Sequence, residues 1–156
     1  MNRLAIRLAQ PDDRLKLVEL QRRASLAGAE DEVRRQLRER PELIDLEAEM
    51  IADNQVMVAV IGEEIVGFAT IVTHEGDDAE LEGLFVEPSH WRTGIGTALL
   101  HAIEREAGAW DANRLHVLAN LEAVPFYRAN GFERLGEQRT ELGPMALLMA
   151  KAIGPQ

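Results

Sequence analysis

Two glycines one residue apart, in Arg92-Thr93-Gly94-Ile95-Gly96-Thr97, stand between a strand-like run and a helix-like one. Leu84-Phe85-Val86 is apolar and stops near Pro88, which cannot continue a ladder. Ile95, Ala98, Leu99, Ala102 and Ile103 then share one helical face. A strand that feeds a glycine turn at a helix N-terminus gathers unpaired N–H groups at one point. Such a point binds anions, diphosphates above all. Gly94 and Gly96 lack a Cβ, so a phosphate can approach the backbone, and Arg92 can add a charge-assisted bond. The same spacing also serves as a plain connection. Two nucleotide loops are excluded: no Gly-Lys-Ser/Thr end is present, and Leu99 stands where a dinucleotide fingerprint needs its third glycine.

A second group of reactive side chains precedes this turn. Glu80 and Glu82 are separated by one residue in Ala79-Glu80-Leu81-Glu82-Gly83-Leu84-Phe85-Val86, so on a strand both carboxylates point to one face. Gly83 inside that strand marks a bulge or a close backbone approach. His74, His90, His101 and His116 show no metal-ligand spacing, and there is no cysteine. No metal site is expected.

The elements that must hold these residues are legible in outline. Leu4–Leu8 reads as a strand, and Pro11-Asp12-Asp13 starts a helix that ends near Gly28. Residues 30–53 read as two charged helices broken at Pro41, the first with Val33 and Leu37 on its stripe, the second with Leu43, Leu46, Met50 and Ile51. Residues 56–61 and 65–72 read as a hairpin turned by Gly62-Glu63-Glu64, followed by the acidic loop 74–78. After the central helix come a strand over 115–119, a short helix that Asn120 can cap, and a left-handed stop at Asn130-Gly131. Residues 132–137 and 145–150 close the chain as strands; the last could pair inside the sheet or across a dimer. The expected fold is α+β: a mixed, mostly antiparallel sheet of six to seven strands flanked by about four to five helices.

Composition narrows the function classes. A chain of 156 residues can bury a core as a single domain, here expected over 1–156. Its 17 basic against 27 acidic residues give a net charge of −10, which argues against a nucleic-acid partner. The N-terminal residues lack a signal peptide's apolar core, and no apolar run is long enough to span a bilayer. A cytoplasmic location with no membrane partner is the expectation.

Taken together, these segments resemble the GNAT superfamily of N-acetyltransferases. The resemblance rests on Leu84-Phe85-Val86 with Arg92-Thr93-Gly94-Ile95-Gly96-Thr97, on Asn120 followed by Tyr127 in Asn120-Leu121-Glu122-Ala123-Val124-Pro125-Phe126-Tyr127, and on Gly131-Phe132 directly after that helix. The hairpin Glu63-Glu64-Ile65-Val66-Gly67-Phe68 is also similar, and the likeness spans roughly residues 4–150. It implies a GNAT-like sheet and acetyl-coenzyme A as cosubstrate, with no metal. Backbone groups of Leu84, Phe85 and Val86 would bond the pantetheine arm, N–H groups from Arg92 to Thr97 the diphosphate, and Asn120 the cofactor as well. There is one departure: Trp91 stands where the family commonly has Gln or Arg, with Arg92 immediately after.

The resemblance also implies catalytic roles. Tyr127, the only tyrosine, resembles the family's general acid toward the leaving thiolate. Glu80 stands where one branch of the family places its base, with Glu82 and His116 as alternatives; Leu115 occupies the position another branch uses. The Val86 N–H would polarise the thioester carbonyl. The implied activity is acetyl transfer to a primary amine, on a small molecule or a protein. The acids Glu75, Asp77, Asp78, Glu80 and Glu82 would favour a cationic acceptor. A non-catalytic module that binds coenzyme A as a sensor is the alternative from another class.

Overall fold

The computed structural model describes residues 3–153. Its strands are β1 (Leu4–Leu8), β2 (Val56–Ile61), β3 (Glu64–Thr73), β4 (Ala79–Val86), β5 (Arg114–Asn120), β6 (Glu133–Arg139) and β7 (Met145–Ala152). Its helices are α1 (Arg14–Ala27), α2 (Asp31–Glu39), α3 (Ala48–Ala52), α4 (Ile95–Ala109) and α5 (Val124–Ala129). The strands form one seven-stranded sheet in the order β1-β2-β3-β4-β5-β7-β6. β1 with β2, β2 with β3, β5 with β7 and β6 with β7 pair antiparallel, whereas β4 and β5 pair parallel. A parallel pair needs a crossover, and α4 is that connection. The α+β reading therefore holds, and β7 pairs inside the sheet.

By its contacts the chain divides into two compact units, with β3, β4 and α4 each contributing residues to both. One unit comprises the chain up to Thr70 together with Gly83–Ala102. Val56, Met57, Val58 and Ala59 of β2 are all buried, which explains why the strand is a continuous apolar run rather than an alternating one. Leu17 and Leu20 of α1, Leu46, Ile51 and Phe68 join Val56 and Val58 in one core, with Phe85 packed against it. The Phe68 and Phe85 rings lie 5.2 Å apart, centroid to centroid. A Cβ at Gly67 would stand 2.9 Å from the Phe85 carbonyl oxygen, so only glycine lets the two backbones come this close.

In the same unit, the helix predicted after Pro41 is shorter than its spacing suggested. Leu43 ends a 3₁₀ turn, Pro41–Leu43, and α3 begins only at Ala48. Ile44 and Leu46 are buried with exposed Asp45 between them, which is the period of extended chain rather than of a helix stripe. Arg14 holds this segment: its Nε donates to the Leu46 carbonyl at 2.6 Å and its Nη2 to Asp45 at 3.0 Å. A side chain distant in sequence thus takes up the carbonyl a helix would have satisfied.

The other unit comprises Ile71–Glu82 and the chain from Ile103 onward. β5 alternates cleanly, with Leu115, Val117 and Ala119 buried and Arg114, Leu118 and Asn120 exposed. Ile103, Ala107 and Met149 of the same unit are also fully buried. The β4–β5 ladder takes in Ala79, Glu80 and Leu81, opposite Leu115, His116 and Val117, and ends there.

Candidate active site

The glycine turn is built by the end of β4 and the start of α4. The Glu87 N–H donates to the Val66 carbonyl at 2.8 Å, and the Glu87 carboxylate receives two bonds from Arg23 of α1, at 2.8 and 2.7 Å. That bidentate pair holds the Glu87 carboxyl below the usual carboxylate range. The Trp91 indole N–H donates to the Val86 carbonyl at 2.7 Å, and the Thr93 hydroxyl donates to the His90 carbonyl. The chain then reverses through two left-handed residues, Arg92 at φ 65° and Gly94 at φ 89°.

Helix α4 follows at once. Its first bond runs from the Ala98 N–H to the Gly94 carbonyl at 3.1 Å, so the N–H groups of Ile95, Gly96 and Thr97 precede the intrahelical ladder. Ile95 is buried, while Arg92, Thr93 and Gly94 are exposed. A Cβ at Gly94 would meet nothing within 4 Å. The turn is therefore accessible, rich in main-chain donors and fixed by side chains that bond its carbonyls. That chemistry suits an anion.

Asn120 ends β5, and its side-chain oxygen accepts the Ala123 N–H at 2.9 Å, as a cap should. Tyr127 lies on α5 and is only 6% exposed. Its ring meets Phe126 and Phe132 edge-on, at centroid distances of 5.1 and 5.4 Å. Burial pushes the Tyr127 phenol well above its ordinary value, so it stays protonated throughout the neutral range. Gly131 supplies the left-handed stop at φ 92° that lets the Phe132 N–H return to the Tyr127 carbonyl at 3.0 Å.

Glu80 is half-buried and stands opposite His116 in the parallel ladder, whereas Glu82 is exposed. His116 Nε2 lies 2.7 Å from Asp78 Oδ2. Its ring stacks on that of His74 at 3.9 Å with the planes 3° apart. His74 Nε2 is in turn 3.9 Å from Glu80 Oε1. The sequence singles out Glu80 and His116 and counts Asp78 among the acids around Glu80, but gives His74 no part. The parallel register joins these residues, and spacing along the chain carries no sign of that. His90 lies at the glycine turn's 3₁₀ segment, and His101 is exposed on α4.

The acetyltransferase (GNAT) family profile matches residues 16–132. Over 93 residues the chain is 33% identical to the uncharacterized N-acetyltransferase YafP of Escherichia coli (strain K12), a match covering 60% of this chain and 55% of that protein. Over 101 residues it is 31% identical to the uncharacterized N-acetyltransferase Rv2669 of Mycobacterium tuberculosis (strain H37Rv), covering 62% and 65% respectively. The chain thus matches less than two thirds of the length of these relatives. Among solved structures, the PaiA N-acetyltransferase of Thermoplasma acidophilum in complex with coenzyme A superposes with a TM-score of 0.75 at 21% identity, covering 96% of this chain and 99% of that one. At that identity the likeness establishes the fold. No helix among the described residues is long and apolar enough to cross a membrane.

Proposed function

The chain belongs to the acetyltransferase (GNAT) family, and on that premise we propose that it transfers an acetyl group from acetyl-coenzyme A to a primary amine. The observation that carries the reading is the turn at residues 92–97, with main-chain donors free of the helix ladder and open space over Gly94. Those donors suit a diphosphate, and coenzyme A carries one. The N–H groups from Arg92 to Thr97 hold that linker, and the main chain of Leu84, Phe85 and Val86 bonds the pantetheine arm. The Trp91 indole holds the Val86 carbonyl, and the Val86 N–H polarises the thioester carbonyl. Asn120 caps its turn through its oxygen and offers its amide N–H to the cosubstrate.

Acetyl-coenzyme A supplies an activated acyl group with a thiolate as leaving group. The protein must then manage protons at both ends. Glu80 accepts the proton of the incoming ammonium, with the more exposed Glu82 and the ring of His116 as the other bases. Tyr127, kept protonated by burial, donates to the departing thiolate. The acids Glu75, Asp77, Asp78, Glu80 and Glu82 draw a cationic acceptor, whose kcat/KM falls as ionic strength rises. A salt-independent rate would remove that steering.

The experiment is a free-thiol release screen of the chain with acetyl-coenzyme A against an amine library, run beside Tyr127→Phe. Acetyl transfer that collapses in the variant supports the assignment. Heat on binding acetyl-coenzyme A without release against any amine would instead indicate the sensor. No heat at all would overturn both.

A further inference from the structure

The acetyl-transfer reading gives His74 no task, yet this ring has a specific setting. It follows β3 at the start of a loop that its own N–H closes by donating to the Asp78 carbonyl at 2.9 Å. Gly76, at φ 68°, makes that turn possible. Asp78 is therefore held beside His74 by main chain, and His116 is brought to both by the neighbouring strand β5. One ligand atom from each of His74, Asp78 and His116 lies within 4.8 Å of the others. A further observation is independent of this clustering: His74 Nδ1 is buried and has no hydrogen-bond partner among the described residues. Buried polar atoms are nearly always satisfied, so such an atom calls for a partner.

We propose that His74, Asp78 and His116 bind one divalent transition-metal ion. Two imidazoles and a carboxylate form a mixed nitrogen and oxygen set, which suits zinc and its first-row neighbours rather than calcium or magnesium. The neutral imidazole is the form that ligates. The 2.7 Å contact between His116 and Asp78 is what a ligand pair adopts with a proton in the place of the ion. When the ion enters, that proton leaves for solvent or for the other ring nitrogen. The stack also opens, because the lone pairs of two parallel rings run side by side and cannot both point at one ion. Water completes the coordination. The spacing of the histidines along the chain gave no hint of this site, because two ligands come from one loop and the third from a strand 38 residues beyond Asp78.

The test uses the full chain after treatment with a chelator. Zinc chloride is titrated by calorimetry, and cobalt chloride by its visible absorption. The expected results are one ion per chain and cobalt bands typical of a nitrogen-containing low-coordinate site. His74→Ala, His116→Ala and Asp78→Asn should each weaken zinc binding by about tenfold or more, whereas His101→Ala should leave it unchanged. Thermal melts without metal check that each variant folds; zinc should raise the midpoint of the native chain and of His101→Ala more than that of the three ligand variants. Asp78→Asn keeps the shape of the loop and carries the test if a histidine variant fails to fold. Zinc binding of equal strength in the native chain and the His74→Ala/His116→Ala double variant would overturn the proposal. So would an absence of stoichiometric binding to the native chain.

Discussion

The turn at residues 92–97 and the corner where the 74–78 loop meets β5 do different kinds of work. The turn acts through main chain: its conformation is fixed by the Trp91 and Thr93 bonds to carbonyls and by the left-handed residues Arg92 and Gly94. The corner acts through side chains: two imidazoles and two carboxylates set one beside another. A substitution in the turn should therefore be felt through shape, and one in the corner or at Tyr127 through chemistry. Donor binding and turnover ought to separate accordingly.

Tyr127→Phe should have the largest effect. Removing a general acid lowers kcat by about 10²–10³-fold, and because the ring still packs between Phe126 and Phe132, the KM for acetyl-coenzyme A should stay within about twofold. Steady-state kinetics decide it; equal losses in kcat and donor affinity would make Tyr127 a packing residue only. Gly94→Val should do the reverse. A β-branched residue at φ 89° is strained by about 1–2 kcal/mol, and its methyl groups fill the space proposed for the phosphate. The KM for acetyl-coenzyme A should rise about tenfold or more with kcat little changed.

Smaller effects sharpen the contrast. Glu80→Gln should lower kcat by about tenfold to a hundredfold, and more than Glu82→Gln does, because Glu80 is the half-buried carboxylate and Glu82 the exposed one. The opposite order in steady-state rates would move the base to Glu82. Trp91→Phe keeps a ring but loses the indole bond to Val86, a loss of about 0.5–1.5 kcal/mol for one neutral hydrogen bond. The KM for acetyl-coenzyme A should rise only a few-fold. A rise beyond tenfold would mean that the indole contacts the donor itself.

The same division governs how much could be seen in the sequence. Features that depend on neighbours in the chain were legible: the end of β4 before Pro88, the start of α4 at the glycine turn, the Asn120 cap and the left-handed Gly131. Features that depend on distant partners were not. Leu46 reads as part of a helix stripe until Arg14 bonds its carbonyl in extended chain. Trp91 reads as a missing phosphate contact until its indole is found on Val86. His74 and His116 are 42 residues apart along the chain, and only the parallel register of β4 and β5 places the second beside the first. Periodicity and turn chemistry report local choices; strand register is a property of the whole sheet.

The most direct test is calorimetric titration of acetyl-coenzyme A into the native chain, Gly94→Val and Tyr127→Phe. A main-chain cradle predicts that the native chain and Tyr127→Phe bind with the same dissociation constant and that Gly94→Val binds about tenfold more weakly or worse. Native-strength binding by Gly94→Val would contradict the assignment of residues 92–97 as the cradle.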